Sequence, residues 1–392
     1  MSRPGRVLVV GAGVAGFTVV DELRHAGYDG AITLVGNETH LPYDRPPLSK
    51  QVLSGTWTHD RATLTTAQAL SELQLDLRLG VAARALDVAR RTVTLEDGSV
   101  LTADAVVLAT GSHAIVPPWA HLGPRVLALR TLDDALRLGT LLRGSTRLAV
   151  VGTGFLGLEV AAAARSLGLA EVVVAGPLEP MVTAVGETVS GRLRALHEAQ
   201  GVVLDVGHEV VEVDGDRTGV TVRFADRAAR ADAVVVALGA RPNVAWLSGS
   251  GLTVVPGVVV DDRGRAAPGV HAVGEVCAWP DRLGRPRRVD HRQSAGEQAR
   301  TVAADLLGET DPLALVPYWW SDQFDVRIQA YGVTGRDREE RWLAGDPDAP
   351  TFALAQRDGD LVGGVVGWNA ARATREARAL VAEPTPWPHR AA

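Results

Sequence analysis

One motif constrains the fold more than any other, and it occurs twice. Residues 6–16, RVLVVGAGVAG, are an apolar run closing on Gly11-x-Gly13-x-x-Gly16. Residues 147–157, RLAVVGTGFLG, repeat the arrangement as Gly152-x-Gly154-x-x-Gly157. Each is followed by a stretch of helical periodicity, FTVVDELRHAG or LEVAAAARSLG, and then by a second apolar run, AITLVGNE or AEVVVAG. A strand, a glycine turn and a helix inside one βαβ unit form the context in which this spacing binds a dinucleotide. The glycines allow a tight turn and a close approach of backbone to pyrophosphate, and the helix N-terminus adds unpaired N–H groups and partial positive charge. Val14 and Ala15 belong to the first of these turns, and Phe155 and Leu156 to the second. Two matching units predict an α/β chain with two Rossmann-like domains and two dinucleotides, for which FAD with a nicotinamide is the usual pair.

Three further apolar runs end in glycine. VVLATGS closes through Ala109 and Thr110 on Gly111, VVVALGARPN on Gly239, and VHAVGEVCAW on Gly274-Glu275. In parallel α/β folds ligands bind at the carboxyl ends of strands, so these glycines either face a cofactor or simply let the chain leave the sheet. At the end of the second strand of the first unit, Glu38 is available for ribose hydroxyls, with Asn37 beside it.

Composition narrows the function. With 46% hydrophobic residues, 22% charged residues and a net charge of −6, the 392-residue chain reads as globular, with no basic field to attract nucleic acid. Cys277 is the only cysteine, which excludes an internal disulfide, a redox dithiol and a cysteine-ligated iron–sulfur cluster. The ten histidines show no HExxH or similar spacing, so no metal site is expected. The opening residues enter a strand at once, and no apolar run reaches membrane-spanning length, so a cytoplasmic location is expected. Lys50, in LPYDRPPLSK, is the only lysine; all other side-chain cations except histidine are arginine. Lysine is a compact point charge whose pKa moves on burial, unlike the planar and permanently charged arginine. A site that needs an ammonium would retain it, although composition alone does not distinguish this from chance.

The stretches VVGAGVAG, LPYDRPPLSK, RTVTLEDG, VVLATGS, LRTLDDA, VVGTGFLGLEVAAAARSLGL, ALGARPN, VHAVGE and YWWSDQFD occur in one order between residue 6 and about residue 325. On these the chain resembles the two-dinucleotide-domain flavoproteins of the glutathione reductase type, and within them the oxygenase-coupled FAD-dependent ferredoxin reductases. The resemblance implies a discontinuous FAD domain (1–112 and 236–312), an inserted NAD(P) domain (113–235) and a C-terminal α+β domain (313–392). It implies that Lys50 lies beside the flavin N5 and pairs with Glu159, and that Trp320 lies close to the isoalloxazine; these three are the candidate catalytic residues. It places Arg45, Val81, Ala82, Glu275, His291 and Arg292 with the FAD-binding residues, Glu275 standing where the family usually has aspartate. Arg292 would either stabilise anionic reduced flavin or point to solvent.

The same resemblance implies hydride transfer from NADH or NADPH to FAD, followed by release of single electrons to an external ferredoxin, of the 2Fe-2S type, that feeds an oxygenase. Arg282, Arg285, Arg287 and Arg288 would form the docking patch for that acidic partner, or merely a solvated loop. The chain departs from the family pattern at Ala175 and Glu179, where an acid and an arginine usually hold the adenosine ribose, and at Ile115, where an arginine often contacts FAD. The donor is therefore left open between NADH and NADPH, and the assembly between monomer and homodimer. The alternative is a flavoenzyme of the same fold acting directly on a small substrate. A third class, a flavin-bearing signalling protein without turnover, would show a long-lived reduced flavin.

Overall fold

A computed structural model describes residues 3–309 and 311–388. The chain divides into two compact units, residues 1–44, 63–113 and 241–317 in the first and 45–62, 114–240 and 318–392 in the second. Residues 389–392 of the expected C-terminal domain lie outside the described residues.

The first unit is built on a six-stranded sheet. Its centre is β1 (Arg6–Val10), which leads through the glycine turn into α1 (Val14–His25) and then to β2 (Ala31–Gly36). β1 lies parallel to β2 on one side and to the Ala105–Leu108 strand on the other, with Val10 opposite both Val35 and Leu108. The Val270–Ala272 strand, more than 160 residues later, joins parallel to Ala105–Leu108. Continuous Val, Leu and Ala runs suit strands covered on both faces, and Val7 to Val10 are almost wholly buried. The Arg292–Leu306 helix packs against α1. Its last turn is tied to the sheet by Asp305, which accepts hydrogen bonds from Arg265 Nε at 2.8 Å and His271 Nε2 at 2.9 Å.

The second unit repeats the pattern with β3 (Arg147–Val151), α2 (Phe155–Ser166) and β4 (Glu171–Gly176). Next come α3 (Glu187–Ala199) and β5 (Val202–Val206), and the five-stranded sheet is parallel throughout, in the order β5-β4-β3, Ala233–Val236, Val126–Ala128. The end of the chain forms a second, antiparallel sheet of five strands, starting with β6 (Tyr318–Gln323). Along β6 the side chains alternate: Trp319, Ser321 and Gln323 are buried, while Tyr318, Trp320 and Asp322 are half-exposed on the other face. Among the described residues no helix is long and apolar enough to cross a membrane.

Candidate active site

In the first unit the glycine turn is enforced by backbone crowding. A Cβ on Gly11, which sits at φ +119°, would lie 2.1 Å from the Ala109 carbonyl oxygen, and one on Gly16 would lie 1.8 Å from the Gly11 oxygen. Gly13 is different: a Cβ there would meet nothing within 4 Å. Gly13 also precedes α1, which starts without a side-chain cap and without an acidic residue in its first turn. The first N–H groups of the helix are thus left for an anion in an open place, as a pyrophosphate requires. This geometry fits FAD.

The remaining candidates in this unit gather at the carboxyl ends of the parallel strands. Asn37 is exposed just beyond β2, and Glu38 is half-buried and accepts the Tyr43 hydroxyl at 2.5 Å. Val81 donates its N–H to the Gly36 oxygen at 3.0 Å, and the Ala82 carbonyl accepts from Glu96 N at 2.8 Å, which places both beside the end of β2. Ala109, Thr110 and Gly111 follow the Ala105–Leu108 strand. They are fastened by Asn243, whose amide donates to the Thr110 carbonyl at 2.8 Å and whose N–H donates to Gly111 at 2.9 Å. Glu275 takes up the Ser112 hydroxyl, so the extra methylene of the glutamate already has a local partner. His291 caps the Arg292–Leu306 helix without a side-chain bond; burial pushes its pKa down, against the pull of Asp290 and Glu275, and favours the neutral ring. Arg292 is exposed and paired with Asp44, 3.1 Å away.

The second unit carries its own glycine turn with the same open position at Gly154, an uncapped α2 and no acid in the first turn. Gly239, at φ +93°, follows the Ala233–Val236 strand, whose neighbour Ala237 presses its oxygen within 2.2 Å of a Cβ on Gly152. At the end of β4 the structure adds what sequence reasoning missed. Glu179 is gripped bidentately by Arg194 of α3, at 2.6 and 2.9 Å. Asp205 of β5 stands in register with Ala175, holding Arg227 and His208. Leu156 and Phe155 open α2, and Phe155 meets the buried Trp319 edge-on at 4.7 Å. Trp319 is therefore the core aromatic of the pair. Trp320 lies on the other face of β6, stacked with Tyr318 at 6.0 Å.

Lys50 is placed by its prolines. Pro46 and Pro47 occupy the first positions of a 3-10 turn, where fixed φ helps and a missing N–H costs nothing. That turn buries Leu48 and Ser49 and presents Ser49 and Lys50 to α2. Lys50 Nζ donates to Glu159 Oε1 at 2.9 Å, with the two side chains only 11% and 8% exposed. Ser321 Oγ donates to the same oxygen at 2.7 Å and Ser49 Oγ to Oε2 at 2.5 Å. A buried ion pair is stable only when further hydrogen bonds satisfy the carboxylate, and here the two serines supply them. Neither serine was singled out from the sequence, because a serine carries no signal until its neighbours are known. Arg45, in the same segment, donates to the Arg130 carbonyl.

The arginine-rich stretch forms a hairpin of Cys277–Pro280 with Pro286–Arg287. Arg285 pairs with Asp281 and Arg288 with Asp290, so much of its charge is neutralised locally. Cys277 is buried, and burial pushes its thiol pKa far up, which makes it inert.

Residues 5–299 match the family model described as pyridine nucleotide-disulphide oxidoreductase, and residues 318–392 match the reductase C-terminal model. The chain belongs to the pyridine nucleotide-disulphide oxidoreductases. Within that family it groups with the reductase components of oxygenase systems. It is 39% identical over 361 residues to the chlorobenzene dioxygenase ferredoxin reductase component of Cupriavidus sp. (strain PS12), covering 91% of this chain and 87% of that one. It is 35% identical over 388 residues to rhodocoxin reductase of Rhodococcus erythropolis, covering 97% and 90%. Among solved structures, the covalent putidaredoxin reductase–putidaredoxin complex matches with a TM-score of 0.91 at 30% identity, covering 97% of this chain and 94% of that one.

Proposed function

We propose that this oxidoreductase is an FAD-dependent NADH:ferredoxin reductase that supplies electrons, through a 2Fe-2S ferredoxin, to an oxygenase. When bound, FAD supplies the chemistry that the protein lacks, accepting a hydride and releasing single electrons. The first glycine turn, with Asn37, Glu38, Arg45, Val81, Ala82, Ala109, Thr110, Gly111, Glu275, His291 and Arg292, would hold FAD, and the second glycine turn would hold the nicotinamide nucleotide. The sheets built from residues 6–108 with 265–272, from 126–236 and from 318–368 support domains at 1–112 with 236–312, 113–235 and 313–392. A cytoplasmic location, where a lone buried thiol stays reduced, is part of the proposal.

The observation that carries this reading is the Lys50–Glu159 pair. The chain keeps its only lysine buried against Glu159 of the helix that follows the second glycine turn. Held near the isoalloxazine, that charge favours reduced flavin, and the carboxylate offsets the cost of burying it. Trp320, on the face of β6 away from the core, would bound the ring. NADH is the proposed donor because the carboxylates Glu179 and Asp205 already engage the arginines at the ribose end, leaving a 2′-phosphate among acids. The small-substrate alternative rests on the altered strand end at Ala175, on Glu275 and on the His291–Arg292 pair; of these, Glu275 and Arg292 have local partners in Ser112 and Asp44.

Anaerobic rapid mixing with NADH, following flavin absorbance, tests the proposal. The protein should bleach quickly, and Lys50→Met should slow bleaching by about a hundredfold, the scale of losing one preorganised electrostatic group. Its FAD content should be unchanged. Reduction at full speed in Lys50→Met would remove the pair from the mechanism.

A further inference from the structure

The Glu159 site does not end at the two serines. Ser321 Oγ, which donates to Glu159, accepts from Gln323 Nε2 at 3.0 Å. Gln323 Nε2 also reaches Met181 Sδ at 3.3 Å, so its other atom, Oε1, is the acceptor that faces His197 Nε2 at 2.7 Å. Ser321, Gln323 and His197 are all 0% exposed. The directions follow from chemistry. A glutamine oxygen can only accept, so His197 carries its proton on Nε2. A serine hydroxyl that receives the Gln323 amide is free to send its own proton on to Glu159. The linked donors His197 Nε2, Gln323 Nε2 and Ser321 Oγ therefore run in one direction, towards the carboxylate on α2.

His197 closes the chain. Its Nδ1 is buried without a hydrogen-bond partner, and burial pushes its pKa below the usual histidine range, more than Gln323 pulls it up. A neutral ring at the far end donates its Nε2–H to Gln323 Oε1 and brings no competing charge. The ring also packs edge-on against Phe324, with centroids 5.1 Å apart.

We infer that Ser321 and Gln323, anchored on His197, are positioning residues that hold the Glu159 carboxylate in one orientation and thereby hold Lys50 in place at the flavin. The inference rests on the reading of Lys50 proposed above. A carboxylate gripped by donors on both oxygens is fixed in one orientation, and its lysine partner with it. The sequence WSDQ thus contributes more than its tryptophan: its alternate residues, Ser321 and Gln323, face the core on the side of Glu159.

Two readouts on the holoprotein test this. The first is the limiting rate of anaerobic FAD reduction by NADH. The second is the midpoint potential of FAD, titrated with a chemical reductant and a reference dye so that no nicotinamide is involved. Ser321→Ala and Gln323→Leu should each slow reduction by about tenfold or more, the equivalent of one hydrogen bond to a charged group. Both should lower the potential, in the same direction as Lys50→Met. Ser321→Thr keeps the hydroxyl and should restore the rate to within about threefold. In a Lys50→Met background the same substitutions should add less than about a twofold further loss, because their effect runs through the ammonium. Equal losses in both backgrounds, or an unchanged potential in Ser321→Ala and Gln323→Leu, would overturn the inference and leave the chain as packing. If wild-type protein is not reduced by NADH, the proposed function fails, and the potentials still decide this point separately.

Discussion

The two glycine turns agree in every feature that backbone crowding controls and differ wherever it does not. Gly11 and Gly152 sit at φ +119° and +123°, and a Cβ on either would collide with a carbonyl oxygen of the neighbouring strand at 2.1 and 2.2 Å. Gly13 and Gly154 share extended dihedrals and open surroundings. Two residues after the third glycine they diverge: α1 has Thr18, and α2 has the buried Glu159. Beyond the strand ends, Gly36 leads to Asn37-Glu38, whereas Gly176 leads to Pro177-Leu178-Glu179. The turn is dictated by sterics and so is copied. The helix interior and the loop after the second strand are free to acquire separate chemistry.

Charging the open position is the most damaging way to separate the two turns. Neither Gly13→Asp nor Gly154→Asp meets a steric obstacle, so both proteins should fold. A carboxylate about 4 Å from a phosphate costs on the order of 4 kcal/mol at an effective dielectric of about 20. Gly13→Asp should therefore purify without FAD. Gly154→Asp should keep FAD and lose affinity for NADH by several hundredfold on the same estimate, read as the concentration dependence of bleaching. If Gly154→Asp lost the flavin instead, the assignment of the two turns would be reversed.

The buried polar networks of the two units offer the next contrast. In the first unit Arg265, His271 and Asp305 tie a helix end to the sheet. Burial acts to raise the Asp305 pKa, but hydrogen bonds and charge from His271 and Arg265 outweigh it and hold the carboxyl at about 2. Because the folded pKa lies below the unfolded value, the stabilisation is complete above about pH 4 and is lost as pH falls towards 2. A depression of this size corresponds to about 2 kcal/mol. Asp305→Asn should lower thermal stability at pH 7 and flatten the acid limb of a stability–pH curve, yet leave the rate of flavin reduction within about twofold. A large rate loss would mean that this network also serves the chemistry.

These contrasts show why some of the molecule can be read in its sequence. Glycine turns are legible because each glycine answers a clash with backbone, and backbone is the same in every chain. Lys50 was legible because it is unique here, and because LPYDRPPLSK, GFLGLE and YWWSDQFD are shared with a recognisable family. Ser49, Ser321, Gln323 and His197 were not, since their roles depend on contacts between segments more than 100 residues apart. The loss of the ribose acid at Ala175 was visible, but not that Asp205 stands in register with it on the neighbouring strand. Nor was the arginine that approaches Glu179, because Arg194 comes from a helix whose facing residues follow no local motif.

That arginine gives the smallest effect and the finest test of the comparison. Glu38 in the first unit is bonded to a tyrosine hydroxyl, whereas Glu179 is locked to a guanidinium. Arg194 also pairs with Glu198 at 2.9 Å, so removing Glu179 would leave the cation partly held and redirected, not released into solvent. At this half-exposed site the pair itself adds little to stability, and its consequence should appear in recognition. Glu179→Ala removes one negative charge near the proposed ribose pocket and lets Arg194 meet a 2′-phosphate. NADPH should gain relative to NADH by up to about tenfold, or roughly 1.4 kcal/mol. Bleaching rates with each donor, measured at sub-saturating concentration, give the ratio directly. The double variant Glu179→Ala, Arg194→Ala should return the ratio to the wild-type side, because the gain belongs to the guanidinium. An unchanged ratio in Glu179→Ala would place the adenosine ribose away from this loop. Asp205, already in register with Ala175, would then be the carboxylate to replace next.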